Sequence, residues 1–180
     1  MDFTNIDKNL NNGQNMAGIA QVVYYAAWED VATWPTLPDA PLTIEENGTL
    51  TGEIVMASGK QMHEIYVTDD TGEFEIEPVG EVDGKSFITH LRFFNPGLKA
   101  KLLGFLNYAK NENLVFIVKD NDGQLYLMGD MTRPATYVGA PDGSGTGKET
   151  AGRRGISMEF QYKCANVYTY TGAIPLTPAV

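Results

Sequence analysis

The sequence predicts a mainly β domain: a sandwich or barrel flanked by one α-helix, with a long N-terminal arm and a long glycine-rich loop. Three observations lead there. Short runs of alternating apolar and polar residues recur between turn sequences, and only one segment carries an unbroken helical stripe. Nineteen glycines and nine prolines supply the many turns such a fold needs. A 43% hydrophobic and 11% aromatic content supplies a core, which excludes a chain disordered throughout. The expected division is an arm over residues 1–17, one domain over 18–172 and a tail over 173–180.

Taken in order, the arm is rich in Asn, with Phe3, Ile6, Leu10 and Met16 as its only apolar anchors. It has no basic start followed by an apolar stretch, so no signal peptide is expected. Val22, Val23, Tyr24 and Tyr25 favour a strand over Gln21–Tyr25. In Trp34–Pro41, Pro35, Pro38 and Pro41 remove donors and fix φ, so this stretch reads as an extended connector. Strands are then expected over Thr51–Ala57, Gln61–Thr68, Glu73–Glu77 and Lys85–Phe94, separated by turns at Ser58-Gly59-Lys60, Asp69-Asp70-Thr71-Gly72 and Val82-Asp83-Gly84.

The helix is expected over Pro96–Lys110. Asn95 is a good N-cap and Pro96 suits the first helical position. Leu98, Leu102, Phe105, Leu106 and Ala109 form one apolar stripe, with Lys99, Lys101, Asn107 and Lys110 opposite. A hairpin follows, Leu114–Lys119 and Gln124–Met128, closed through Asp120-Asn121-Asp122-Gly123. Thr132–Arg154 reads as the long polar loop, with Gly143, Gly145, Gly147 and Gly152. Ile156, Met158, Phe160 and Tyr162 alternate with Ser157, Glu159, Gln161 and Lys163, a half-buried strand, and a last strand lies near Asn166–Tyr170.

Charge is uneven. Thirteen basic against 23 acidic residues give −10. Asp39–Asp83 holds twelve acids and only Lys60, whereas Lys85–Lys119 holds six cations and only Glu112. Such a chain is poorly suited to gripping nucleic acid, which needs clustered cations. No apolar run approaches the roughly 20 residues that span a bilayer, so no membrane association is expected. Cys164 has no partner for a disulfide and no metal-ligand spacing around it, which points to synthesis in a reducing compartment.

Motifs for chemistry are weak. Asp142-Gly143-Ser144-Gly145-Thr146-Gly147-Lys148-Glu149 approaches a phosphate-binding loop, but Asp142 stands at the first glycine position and Glu149 at the hydroxyl position. His63 and His90 lack ligand-spaced neighbours, and Ser58, Ser86, Ser144 and Ser157 lie in no nucleophile elbow. Glu45/Glu46 and Asp69/Asp70 are adjacent pairs on turns, and the half calcium loop at Asp120 ends on Met131 rather than Glu. The reading is therefore not an enzyme, with no cofactor, no metal and no catalytic residue. The sharpest feature is physical: alternation puts Glu73, Glu75 and Glu77 on one face of a strand, with Phe74 and Ile76 on the other. In a ring, copies of that strand would line a channel with acid and repel a passing polyanion.

The order of elements resembles tail-tube proteins of long-tailed phages and the related Hcp-like tubes of contractile injection systems. The shared plan is a polar arm, a β-sandwich or barrel with one helix after a middle strand, a glycine-rich loop and closing strands at Gly155–Phe160 and Asn166–Gly172. The resemblance implies a virion structural protein, made in the host cytoplasm and placed in the tail. It implies homo-oligomeric rings, commonly hexameric, stacked into a tube that also meets other tail proteins and lets DNA pass without specific binding. Glu73, Glu75 and Glu77 would face the lumen. Phe3, Ile6, Leu10, Gly143, Gly145, Gly147, Arg153 and Arg154 would make contacts between subunits. The Trp34–Pro41 connector departs from that plan and leaves a head–tail connector or tail-hub ring open. A small glycan- or protein-binding β-sandwich, using Trp28, Trp34, Tyr168 and Tyr170 as surface aromatics, is the other alternative.

Overall fold

In a computed structural model, residues 1–6, 15–150 and 152–179 are described. In chain order the strands are β1 (Ile19–Ala27), β2 (Val31–Thr33), β3 (Val55–Met56), β4 (His63–Tyr66), β5 (Glu73–Val79), β6 (Ser86–Pro96), β7 (Leu114–Asp120), β8 (Leu125–Met128), β9 (Thr136–Gly139), β10 (Ser144–Gly145), β11 (Gly155–Cys164) and β12 (Thr169–Tyr170). The helices are α1 (Ile44–Asn47) and α2 (Ala100–Ala109). One sheet runs β12-β8-β7-β1-β4, and a second runs β10-β11-β6-β5, with β9 also pairing to β11. The ladders within both sheets are antiparallel. The fold is mainly β, consistent with the expected sandwich and flanking helix.

Between the sheets lies the main core. Val23, Phe116 and Val118 from the first sheet meet Leu91, Phe93, Met158 and Phe160 from the second. Phe160 is its hub, with ring centroids of Phe116, Tyr137, Phe93 and Phe105 at 4.6, 5.5, 6.2 and 6.3 Å. A second core covers the other face of the first sheet, where Val115 and Ile117 pack with Leu50, Ile54, Met56, Met62 and Tyr170. Strand β7 is thus buried on both faces, which explains why Leu114–Val118 is a continuous apolar run rather than an alternation. The tail is part of this layer: Pro175 O accepts from Met62 N, and Ala179 exchanges bonds with Gly59 and Lys60.

Several expectations are corrected. The helix starts at Ala100, not Pro96, because Asn95 and Pro96 continue β6 opposite Ile156 and Gly155. Asn95 caps nothing; its Nδ2 donates to Tyr66 O at 2.7 Å. The chain turns into the helix through Gly97 at φ +89°, a conformation that glycine adopts without strain. Of the expected apolar stripe, Leu102, Phe105 and Leu106 pack on the main core from α2 and Ala109 is buried in it, whereas Leu98 packs there from before the helix. The Thr132–Arg154 loop contains β9 and β10, both laid on β11. Thr51–Ala57 shrinks to the two residues of β3, and α1, absent from the sequence reading, is capped by Thr43 accepting from Glu46 N.

Asp130 ties the two layers together. Its main-chain oxygen accepts from Trp28 Nε1 at 2.7 Å, Oδ2 accepts from the Tyr162 hydroxyl at 2.7 Å, and Oδ1 accepts from Thr132 N and Arg133 N at 2.6 and 2.8 Å. Burial acts to raise the Asp130 pKa, but the bonds from Tyr162 and Thr132 outweigh it and hold the carboxyl below its ordinary range. The same burial, aided by Asp130, pushes the Tyr162 phenol up. Burial also pushes the Cys164 thiol up to about 11, so this free cysteine is a packing residue and a poor nucleophile.

Two outcomes are expected. Phe160→Ala leaves a void among four rings and should cost about 3–5 kcal/mol in urea unfolding, whereas Leu103→Ala on the exposed side of α2 should change stability by less than about 0.5 kcal/mol. The Asp130 carboxylate, its folded pKa depressed, stabilises the fold above about pH 4 and loses that contribution as pH falls through the depressed value. Asp130→Asn should therefore lower the urea midpoint at neutral pH and flatten the loss of stability on acidification.

Candidate functional site

Registers set the outer face of the second sheet. Direct partners in an antiparallel ladder point to the same side. Glu73 and Glu159 both oppose Arg92, Glu75 and Gln161 both oppose His90, and Glu77 and Lys163 both oppose Ile88. The inward alternates, such as Leu91, Phe93, Met158 and Phe160, fill the core. Four carboxylates, one guanidinium, one ammonium and one imidazole are thereby spread over three adjacent strands.

The carboxylates are not bare. Arg92 Nη1 donates to Glu73 Oε2 at 3.0 Å and also to Glu75, while Arg92 Nε donates to Glu159 Oε1 at 3.2 Å. The Glu75 carboxylate, with help from Glu73 and Glu159, drives the guanidinium pKa above its ordinary value against the opposing effect of burial. His90, buried on this face, has Nδ1 2.8 Å from Glu159 Oε1 and Nε2 3.0 Å from Glu77 Oε2. Gln161 Nε2 lies 3.3 Å from His90 Nδ1. The result is a polar sheet face whose Arg92 is already occupied by three carboxylates.

Beside this face is a cleft of about 610 Å³ between the Asp70–Glu73 turn and the glycine-rich segment. Gly143, Gly145, Gly147 and Arg153 line it together with Glu73, and the Arg153 guanidinium sits 5.8 Å above the Phe94 ring. Arg154 is not on its wall; its carbonyl accepts from Gly97 N at 2.8 Å. Phe3 and Ile6 are 82% and 86% exposed, while Asp2 N donates to Leu42 O at 2.6 Å. Leu10 lies outside the described residues.

Other candidates are separated or absorbed by packing. His63 is on β4 of the first sheet and His90 on β6 of the second. Among the described residues no group of three or more His, Cys, Asp or Glu side chains is placed to hold a metal ion. No described helix is long and apolar enough to cross a membrane. No helix follows Lys148 among the described residues of the glycine-rich segment, as a phosphate-binding loop requires. Of the aromatics considered for glycan binding, Trp28, Trp34 and Tyr168 are half-buried, with the Trp28 and Trp34 rings 6.1 Å apart, and Tyr170 does not reach the surface. Tyr170 is 1% exposed, with its hydroxyl donating to Ala173 O and accepting from Ile54 N, and Trp34 packs on the second core.

The sequence marks the three glutamates of β5 and, separately, His90, but does not bring Arg92 and His90 to face them. Their signal was an outward-facing His and Arg at i and i+2 within an apolar strand. Without the strand register, nothing in the sequence joins that pair to Glu73–Glu77 rather than to another strand. No protein-family model, curated protein or solved structure matches this chain.

Arg92→Met should leave three carboxylates facing one another, costing about 1–2 kcal/mol in urea unfolding at low ionic strength. High salt should shrink that difference; an unchanged cost would show that Arg92 acts through its packed stem instead.

Proposed function

We propose that this chain is a phage virion structural protein that assembles into stacked rings, forming a tail tube with an acid-rich lumen for DNA passage. The carrying observation is the outer face of β5-β6-β11, with Glu73, Glu75, Glu77 and Glu159 held in place by Arg92 and His90. Binding a duplex tightly requires free cations that can replace the counterions on its phosphates. On this face Arg92 is occupied by three carboxylates, and Lys163 stands against four in all. A wall of such faces repels phosphate and gives a moving polyanion few places to stick.

The fold is suited to placing that face in a ring. The far edge of β5 has no partner strand among the described residues, and the opposite edge of the sheet carries only the short β9 and β10. An unpaired strand edge is a template for another chain. Joining β5 of one copy to the β9/β10 side of the next would continue the sheet around a channel, with α2 outside as a brace. Phe3 and Ile6, exposed on the arm, remain to grip a neighbouring copy.

Negative-stain images of the concentrated full-length protein should show rings or tubes with a central channel; a strictly monomeric protein overturns the proposal. Tubes of the wild-type chain should retain no duplex DNA at physiological salt. Tubes carrying Glu73→Lys, Glu75→Lys and Glu77→Lys should retain it, and equal retention by both would remove the role assigned to the acid face.

A further inference from the structure

The two ends of β6 carry features of opposite character. At its start, the β5–β6 connection makes a tight turn, with Gly80 at φ +102°, Asp83 at φ +65° and Gly84 N donating to Glu81 O at 3.1 Å. Val82 stands out from this turn, 81% exposed, between the carboxylates of Glu81 and Asp83. The tip is a preformed knob, apolar at its centre and acidic on both flanks. Lys85 is the nearest cation in the chain.

At the far end of β6, beyond Asn95 and Pro96, a groove of about 220 Å³ lies between β4 and the first turns of α2. Its floor is apolar: Tyr25, Ile65, Leu102 and Phe105, with the Tyr25 and Phe105 rings edge-on at 4.8 Å. Lys99 and Lys101 stand on its helix side and Glu64 on its strand side. Two lysines at the start of a helix are placed against its dipole, a local cost that an approaching carboxylate relieves. The strand side is closed in part, where Tyr66 O accepts from Asn95 Nδ2 at 2.7 Å and Phe94 O accepts from Thr68 N at 3.0 Å. Val67 N donates to Gln21 O at 3.0 Å, so by alternation the Glu64 and Tyr66 amides turn away from β1 and towards the groove.

The acidic knob and the lysine-flanked groove are opposite in charge, yet one chain cannot join them. An 11-residue strand separates its ends by about 33 Å. The contact must therefore run head to tail between copies, a heterologous contact that repeats. If ring closure uses the edges of the second sheet, the ends of β6 lie on opposite rims of the ring. We propose that the Glu81–Gly84 tip of each copy seats in the β4–α2 groove of a copy in the next ring, stacking ring on ring. Val82 covers the apolar floor, while Glu81 and Asp83 meet Lys99 and Lys101. The inference rests on the ring reading above and adds the contact that turns rings into tubes.

Charge reversal tests it with the full chain, imaging by negative stain and checking the fold by far-ultraviolet circular dichroism. The knob variant (Glu81→Lys with Asp83→Lys) and the groove variant (Lys99→Glu with Lys101→Glu) should each form single rings without tubes. The chain carrying all four changes should regain tubes, since both partners are reversed. Rings of the two double variants, mixed in equal amounts, should form tubes in which the two kinds of ring alternate, since each one's knob is opposite in charge to the other's groove. Tubes of wild-type length from either double variant would overturn the stacking contact while leaving the ring reading intact, as would wild-type tubes whose length is insensitive to salt. A wild-type chain that stays monomeric overturns both.

Discussion

The register between β6 and β11 is the constraint on which the rest depends. The two strands pair residue by residue from Phe87–Cys164 to Pro96–Gly155. Side chains alternate along both, so a slip of one residue would carry Leu91, Phe93, Met158 and Phe160 to water and Arg92, His90 and Glu159 into the core. The aromatic cluster around Phe160 opposes that slip from inside, and the ion pairs of Arg92 with the hydrogen bonds of His90 oppose it from outside. Core and charged face are two sides of one alignment.

The same alignment decides where the helix goes. Because Asn95 and Pro96 remain in the ladder, the chain leaves the sheet only at Gly97, and α2 is set down against the Tyr25 and Phe105 side of the sandwich. The helix fills one end of the core through Leu102, Phe105, Leu106 and Ala109. Its early lysines are left exposed over a groove, with no salt bridge among the described residues.

Electrostatics here is organised by strand. An acidic strand at the sheet edge is tolerated because the next strand brings Arg92 to Glu73 and Glu75 and a hydrogen-bonding His90 to Glu77, and because Arg92 stands between Glu73 and Glu159 on the strand beyond. The face stays acid-rich in sum while each carboxylate of the Arg92 cluster is hydrogen-bonded. That combination fixes the side chains in place and keeps the cation from leaving for another partner.

By itself, the sequence determined which segments alternate, which single segment has a helical stripe, and where glycine and proline interrupt them. Those follow from local periodicity and backbone chemistry, and they sufficed for a mainly β chain with one flanking helix and for the three outward glutamates of β5. Only the tertiary structure decided the partners. Asn95-Pro96 looks like a helix start until Ile156 and Gly155 claim it for a ladder; Leu114–Val118 looks like one buried strand until its two faces are seen to serve two cores. Tyr170 looks like a surface ring until Ile54 N and Ala173 O take its hydroxyl. Arg92, His90 and Glu159 lie far from Glu73–Glu77 along the chain or on separate strands, and pairing across strands is set by the summed burial of both faces, which no local window contains.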